Sequence, residues 1–232
     1  GDDVASGGTG SDVLNGGSGD DTLTGGAGDD TIDGGAGNAD TAIYTGNFAD
    51  YTIARAGDDS SLTITDSRVG GDDVDTVSNV EVLEFGDGTI ARVVGAGGYS
   101  DISAAVSAAV NDSSSGDIIL LDSSVSVTIA DANGIASQNL SFDGVVINTI
   151  EDTAGNITNS SIDLTASGFT RYTIVKTSDS NTVSLDASQL GGRSLTLDGT
   201  FEVTGSVKQV DNLDQSTAIN QVDSLTVSDT AS

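Results

Sequence analysis

The sequence predicts an all-β protein: a parallel β-roll over residues 1–46, a β-rich cap over 47–98, and a further β-rich domain over 99–232, built as a β-solenoid (β-helix-like) or a β-sandwich. Three observations carry this reading. The N-terminus repeats with period nine, as GGTGSDVLN (7–15), GGSGDDTLT (16–24), GGAGDDTID (25–33) and GGAGNADTAIY (34–44), after a truncated GDDVAS. Beyond it, alternating runs such as DYTIAR and SLTITD are separated by Gly, Asp and Ser turns. After GAGG at 95–98 the composition shifts, and a short helical pattern gives way to one strand-like run after another.

Composition narrows the chemistry. Across 232 residues, 36% apolar content is thin but sufficient for a layered β structure. The balance of 36 Asp and Glu against 7 Lys and Arg gives a charge of -29, which excludes nucleic acid as a partner and makes cations the expected one. The chain has no Cys, His, Met, Trp or Pro, so a zinc site, a thiol nucleophile and a serine–histidine dyad are excluded within it, as are disulfides. No run approaches the ~18 apolar residues of a membrane span, and the N-terminus lacks the basic start and apolar stretch of a signal peptide. The chain opens within a repeat unit, so it is read as a fragment of a longer protein.

The repeat reads GGxGxDxUx, where U is a large apolar residue: Leu14, Leu23 and Ile32. Its aspartate recurs as Asp3, Asp12, Asp21 and Asp30, with Asp40 displaced one place by an extra residue, Asn38 or Ala39. The three residues around each U are expected to form a short strand with U inward. The six-residue GGxGxD half is expected to make a tight turn that requires positive φ. Stacked turns would bring carbonyl oxygens and aspartates together between layers, and hard oxygen ligands in a flexible cage suit Ca²⁺. With two units per coil, Asp3, Asp21 and Asp40 fall on one edge and Asp12 and Asp30 on the other, which predicts about three ions. A disordered Gly/Asp linker is the alternative, but a linker has no reason to keep an apolar residue in register after each Asp.

On this motif the chain resembles the RTX family, whose calcium-binding nonapeptide repeats form parallel β-rolls in proteins exported by type I secretion. The resemblance extends over residues 1–98. It implies that each site combines the carboxylates of Asp3, Asp12, Asp21, Asp30 and Asp40 with main-chain carbonyls of Gly8, Gly10, Gly17, Gly19, Gly26, Gly28, Gly35 and Gly37. The first unit lacks Gly-Gly-x and carries Ala5 at its U position, and the extra residue precedes Asp40, so the outermost and lowest sites are expected to be the weakest. Asn79, Val80, Glu81, Leu83 and Phe85, with the tyrosine-containing hairpin before them, resemble the segment that closes such rolls. Asp72, Asp73 and Asp75 in GGDDVD read either as a solvated acidic turn or as ligands of one more ion.

Downstream, YSDISAAVSAAVND predicts a short helix capped by Ser100 or Asp101, and Gly116 precedes the strand DIILL. That order resembles the entry to a β-helix of the pectin-lyase type. VSVTIA, LSFDGVVI, SIDLTA, YTIVKT, TVSLDA, SLTLDG, FEVTG and SLTVSD all predict strands. The only cluster with the chemistry of a polysaccharide-processing site is Arg171, Tyr172 and Lys176. Arg171 and Lys176 are an odd number of places apart and would face opposite sides of a straight strand, so no catalysis is expected. Thr63 and Thr65 do not recur at a fixed spacing, which argues against an ice-binding ladder.

These features lead to the expectation of a calcium-dependent structural segment of a secreted bacterial cell-surface or matrix protein, such as a surface layer, adhesin or biofilm filament. The alternative is a non-catalytic calcium-binding module of a secreted polysaccharide-modifying enzyme or protease. Its expected partners are calcium ions and either other copies of itself or cell-surface polysaccharide, with no nucleic acid and no transmembrane segment. Its expected location is extracellular, at the bacterial cell surface.

Overall fold

A nonapeptide with one large apolar residue can bury it only by lying on copies of itself, and residues 1–44 do so in the computed structural model. The structure describes residues 1–112, 116–121, 126–143 and the strand segments named below. Strands β1 (Val4–Thr9), β2 (Val13–Ser18), β3 (Thr22–Ala27), β4 (Thr31–Ala36) and β5 (Thr41–Ile43) follow one another along the repeats. β1 pairs in parallel with β3 and β3 with β5, while β2 pairs with β4. Odd and even strands therefore form separate sheets, two nonapeptides to a coil. The register Leu14↔Ile32 and Leu23↔Ala42 stacks the U positions. Leu23, Ile32 and Ala42 are fully enclosed and Leu14 is buried, whereas Ala5 in the first coil is exposed.

Strands β1 to β4 are twice the expected length, spanning six residues rather than three, because the glycine pair joins the ladder, as in Gly8↔Gly26 and Gly17↔Gly35, while β5 keeps three. These second glycines keep the positive φ that the repeat implied, with Gly8 at 102° and Gly17 at 97°. The turn proper shrinks to residues 10–12, 19–21 and 28–30.

The cap extends both sheets. A 3-10 turn (Phe48–Asp50) leads into β6 (Tyr51–Arg55), which forms an antiparallel hairpin with β7 (Leu62–Asp66); β7 pairs antiparallel with β8 (Val74–Ser78), and β8 lies parallel on β4. β9 (Val82–Glu84) lies parallel on β5 and antiparallel to β10 (Ile90–Val93). The core runs without a break from Leu14, Leu23 and Ile32 into Leu62, Ile64, Val77, Val80, Leu83 and Phe85. Phe85 stacks on Tyr44 at 5.6 Å and meets Phe48 edge-on at 5.2 Å, so aromatic side chains fill the wider base of the roll.

Helix α1 (Ile102–Asn111) starts at Asp101, whose side chain accepts the Ala104 N–H at 2.9 Å, which resolves the choice between Ser100 and Asp101. Its buried side is Ile102, Ala105, Val106 and Ala109. Gly116, at φ 88°, turns the chain into β11 (Ile118–Leu120). Next come β12 (Ser126–Val127), helix α2 (Ile129–Gln138) and β13 (Ser141–Asp143). α2 corrects the reading of VSVTIA as one strand. Thr128 and Asp131 form a reciprocal cap, with Thr128 N–H donating to Asp131 Oδ2 at 3.0 Å and Asp131 N–H to Thr128 Oγ1 at 3.2 Å, and this ends the strand at Val127.

The chain divides into two units, Gly1–Ser123 with Leu140–Val145, and Ser124–Asn139 with Val146–Ser232. The first runs past residue 98, where the composition shifts, because β11 lies parallel on β10 and β13 on β11. The second contains β14 (Thr149–Asp152), β15 (Arg171–Lys176), β16 (Val183–Asp186), β17 (Ser194–Asp198), β18 (Phe201–Thr204), β19 (Ala218–Ile219) and β20 (Ser224–Leu225). β12, β14, β15, β17 and β19 form one sheet and β16, β18 and β20 another, with every described pair parallel. Registers such as Thr149↔Thr173, Tyr172↔Leu195 and Thr196↔Ala218 advance by a coil each time, as in a solenoid. The expected strand SIDLTA and the end of LSFDGVVI lie outside the described residues.

Candidate metal centre

Each tight turn ends on the aspartate of its repeat, and the parallel register places that aspartate above its counterpart in the next coil. On one edge Asp3 N–H donates to Asp21 Oδ1 and Asp21 N–H to Asp40 Oδ1, both at 2.7 Å. On the other, Asp12 N–H donates to Asp30 Oδ1 at 2.8 Å. The alternation of turns between edges is thus the one that two units per coil require. Asp21, Asp30 and Asp40 are buried, Asp12 is half-buried and Asp3 is exposed.

The second carboxylate oxygen is where the geometry becomes chemical. Oδ2 of Asp12, Asp21, Asp30 and Asp40 is in every case buried and without a hydrogen-bond partner. Four anionic oxygens in the same repeat position, each left without a donor, would cost heavily in a finished structure. A divalent cation would supply what they lack.

The glycines leave room for it. A Cβ on Gly7 would stand 2.7 Å from both Asp12 Oδ2 and the Gly25 carbonyl oxygen of the coil below. On Gly16 it would meet Asp21 Oδ2 and, at 2.6 Å, the Gly34 carbonyl oxygen. The carbonyl oxygens of Gly8, Gly10, Gly17 and Gly19 lie against Gly26, Gly28, Gly35 and Gly37 of the next coil, close enough that a side chain there would collide with them. Carboxylate and carbonyl oxygens therefore approach one another between layers, Asp12 and Asp21 beside the Gly25 and Gly34 carbonyls, which the repeat did not single out, and Asp40 beside the Gly19 carbonyl, which it did. Among the described residues no three carboxylates gather at one point, so an ion would be held by one or two carboxylates with main-chain oxygens, a hard-oxygen set that fits Ca²⁺.

The extra residue before Asp40 is absorbed in its turn. Asn38 N–H still donates to Asp20 Oδ1 at 3.0 Å, and Asp40 lies fully buried with its carboxylate packed against Gly37. Burial pushes the Asp40 carboxyl up, and the charges of Asp21, Asp20 and Asp33 add to that against the lowering effect of the Asp21 N–H.

GGDDVD does not act as a unit. Asp72 is buried and accepts the Tyr51 hydroxyl at 2.5 Å and an Arg68 N–H at 3.3 Å, in a network that also holds Asp66. Asp73 is exposed, at φ 52°. Asp75 is buried and its Oδ1 accepts the Asp30 N–H at 2.9 Å. Burial, with the charges of Asp30 and Asp72 behind it, pushes the Asp75 carboxyl up to about 7. Tyr44 lies beside it, its buried hydroxyl without a hydrogen bond of good geometry. Glu81, which the sequence marked only as part of the closing segment, accepts the Asp40 N–H through Oε2 at 2.8 Å. Burial and then the Asp40 charge push its carboxyl up.

Arg171 and Lys176 are the first and last residues of the uninterrupted strand β15. Among the described residues no helix is long and apolar enough to cross a membrane. Residues 1–39 match the family of RTX calcium-binding nonapeptide repeats, in four copies. Comparison with curated proteins and with solved structures finds no match.

Proposed function

Since residues 1–39 are RTX calcium-binding nonapeptide repeats, we propose that this chain is a calcium-dependent structural segment of a secreted bacterial cell-surface or matrix protein. The observation that carries it is the set of four buried carboxylate oxygens, from Asp12, Asp21, Asp30 and Asp40, that no hydrogen bond satisfies. Without cations these charges repel and the roll has little apolar core to hold them together; with calcium they become its fastening. A chain that stays unfolded at low calcium and folds where calcium is abundant suits export before folding. The segment contributes no catalysis. With a charge of -29, copies repel one another until divalent ions neutralise part of it, so calcium also governs its association with other copies or with cell-surface polysaccharide.

Circular dichroism of the chain in chelator and after calcium addition tests the fastening: a β spectrum indifferent to calcium refutes it. Light scattering with and without millimolar calcium, beside turnover assays on alginate and pectin, tests the role. Turnover abolished by Tyr172→Phe, with no calcium-dependent assembly, would point instead to a polysaccharide-modifying enzyme.

A further inference from the structure

Both aspartate ladders continue past the last nonapeptide. Down one edge the sequence of acceptors is Asp21, Asp40, Glu81, and down the other it is Asp30, Asp75, each joined to the coil above by the same contact: a backbone N–H of one rung to a carboxylate oxygen of the next. Asp75 comes from β8 of the cap and Glu81 from the residue just before β9, 45 and 41 residues from the rungs they receive. They are buried, as the inner repeat aspartates are.

Hydrogen bonding alone leaves these layers incomplete. Asp30 and Asp40 each spend Oδ1 on the N–H above, and their buried Oδ2 atoms have no partner. Below Asp40 the surroundings repeat those of the coils above. A Cβ on Gly34 would stand 2.9 Å from Asp40 Oδ2 and directly against the Asn79 carbonyl oxygen. Asn79 thus takes the place that Gly25 holds beneath Gly7 and Gly34 beneath Gly16.

We propose that the roll holds two further calcium ions below its repeats, one between Asp40 and Glu81 with the Asn79 carbonyl, the other between Asp30 and Asp75. The inference rests on the calcium reading of the repeats and adds two ligands from outside them. It makes the cap a part of the metal centre: the closing strands are pinned to the roll by ions as well as by their apolar side chains. Folding of the cap is then coupled to calcium directly.

Tyrosines mark both positions, Tyr44 beside Asp75 and Tyr99 lining one cleft with Glu81. Terbium can therefore replace calcium with a local readout, tyrosine-sensitised emission. The full chain, Asp75→Asn, Glu81→Gln and the double variant are to be compared by equilibrium dialysis with radiocalcium and by terbium emission. Asn and Gln keep a carbonyl acceptor for the Asp30 and Asp40 N–H groups, so these variants retain the ladder even where alanine would not fold. The expected result is the loss of one tightly held ion in each single variant and of both in the double, with a drop in tyrosine-sensitised emission each time. Unchanged ion content and emission overturn this inference and leave calcium binding by the repeats standing. Failure of the unaltered chain to take up any calcium overturns both.

Discussion

Without metal, the charge on Asp75 should oppose folding, and Asp75→Asn should stabilise the chelated protein. The carboxyl is raised from its ordinary 3.8 to about 7, chiefly by burial. That displacement corresponds to on the order of 4 kcal/mol at about 1.4 kcal/mol per pH unit, as an upper bound. The folded state binds this proton more tightly than the unfolded chain does. Stability is therefore fully present below about pH 4 and is lost as pH rises towards 7. Asp40 and Glu81, both raised by burial, act in the same direction. Asp66 does not interfere: burial would raise it, but the Arg68 guanidinium and the Asp72 and Arg68 N–H groups outweigh burial and hold it at about 2. Its contribution is lost only as pH falls through that lower range. The assay is circular dichroism in chelator as pH is lowered from 7.5 to 4.5, where the chain, unfolded without calcium at neutral pH, should recover folded signal as these carboxyls take up protons. The unaltered protein should gain stability on acidification, and Asp75→Asn should start higher and change less, because Asn keeps the acceptor for the Asp30 N–H and carries no charge. With calcium present the order should reverse, since the variant has lost a ligand. Identical pH profiles for the two proteins in chelator would refute the argument, as would stability that falls steadily over the same range.

Other perturbations follow from the same geometry. Asp21 lies in the ladder between Asp3 and Asp40, whereas Asp12 is the first rung of its edge, so Asp21→Ala should raise the calcium concentration needed for folding more than Asp12→Ala in a calcium titration. Gly16→Ala drives a Cβ into Asp21 Oδ2 and the Gly34 carbonyl and should abolish calcium-dependent folding, while Gly57→Ala, with nothing within 4 Å of the new carbon, should change stability by less than ~1 kcal/mol in denaturant titration. Leu23→Ala empties a fully enclosed position in the stack and should cost about 2–5 kcal/mol in calcium-saturated unfolding. Arg92→Ala leaves Asp117, its partner at 2.7 Å, buried without that cation and should cost about 3–5 kcal/mol, read by the same method.

What the sequence determined alone is everything set by strict repetition. A period of nine with one apolar side chain admits few stackings, so it sets the inward Leu14, Leu23 and Ile32, the two-unit coil and the sorting of Asp3, Asp21 and Asp40 from Asp12 and Asp30. Local rules also reached the hairpin β6–β7 and narrowed the α1 cap to Ser100 or Asp101. They missed α2, because VSVTIA alternates like a strand and the Thr128–Asp131 cap that overrides it lies inside that run. They halved the repeat strands, because glycine at positive φ reads as a turn when its carbonyl and N–H partners one coil away are not considered. Only tertiary structure could distinguish Asp75 from Asp72 and Asp73, or identify Glu81 at all. The three aspartates of GGDDVD are alike in local context, and Glu81 sits in a segment marked by its apolar neighbours. Their roles are assigned by β8 lying on β4 and β9 on β5, long-range pairings that carry one carboxylate of each segment beneath a buried aspartate and leave the others to solvent or to Arg68. Where the repeat stops, register stops being a property of the local sequence and becomes a consequence of which strand closes the sheet.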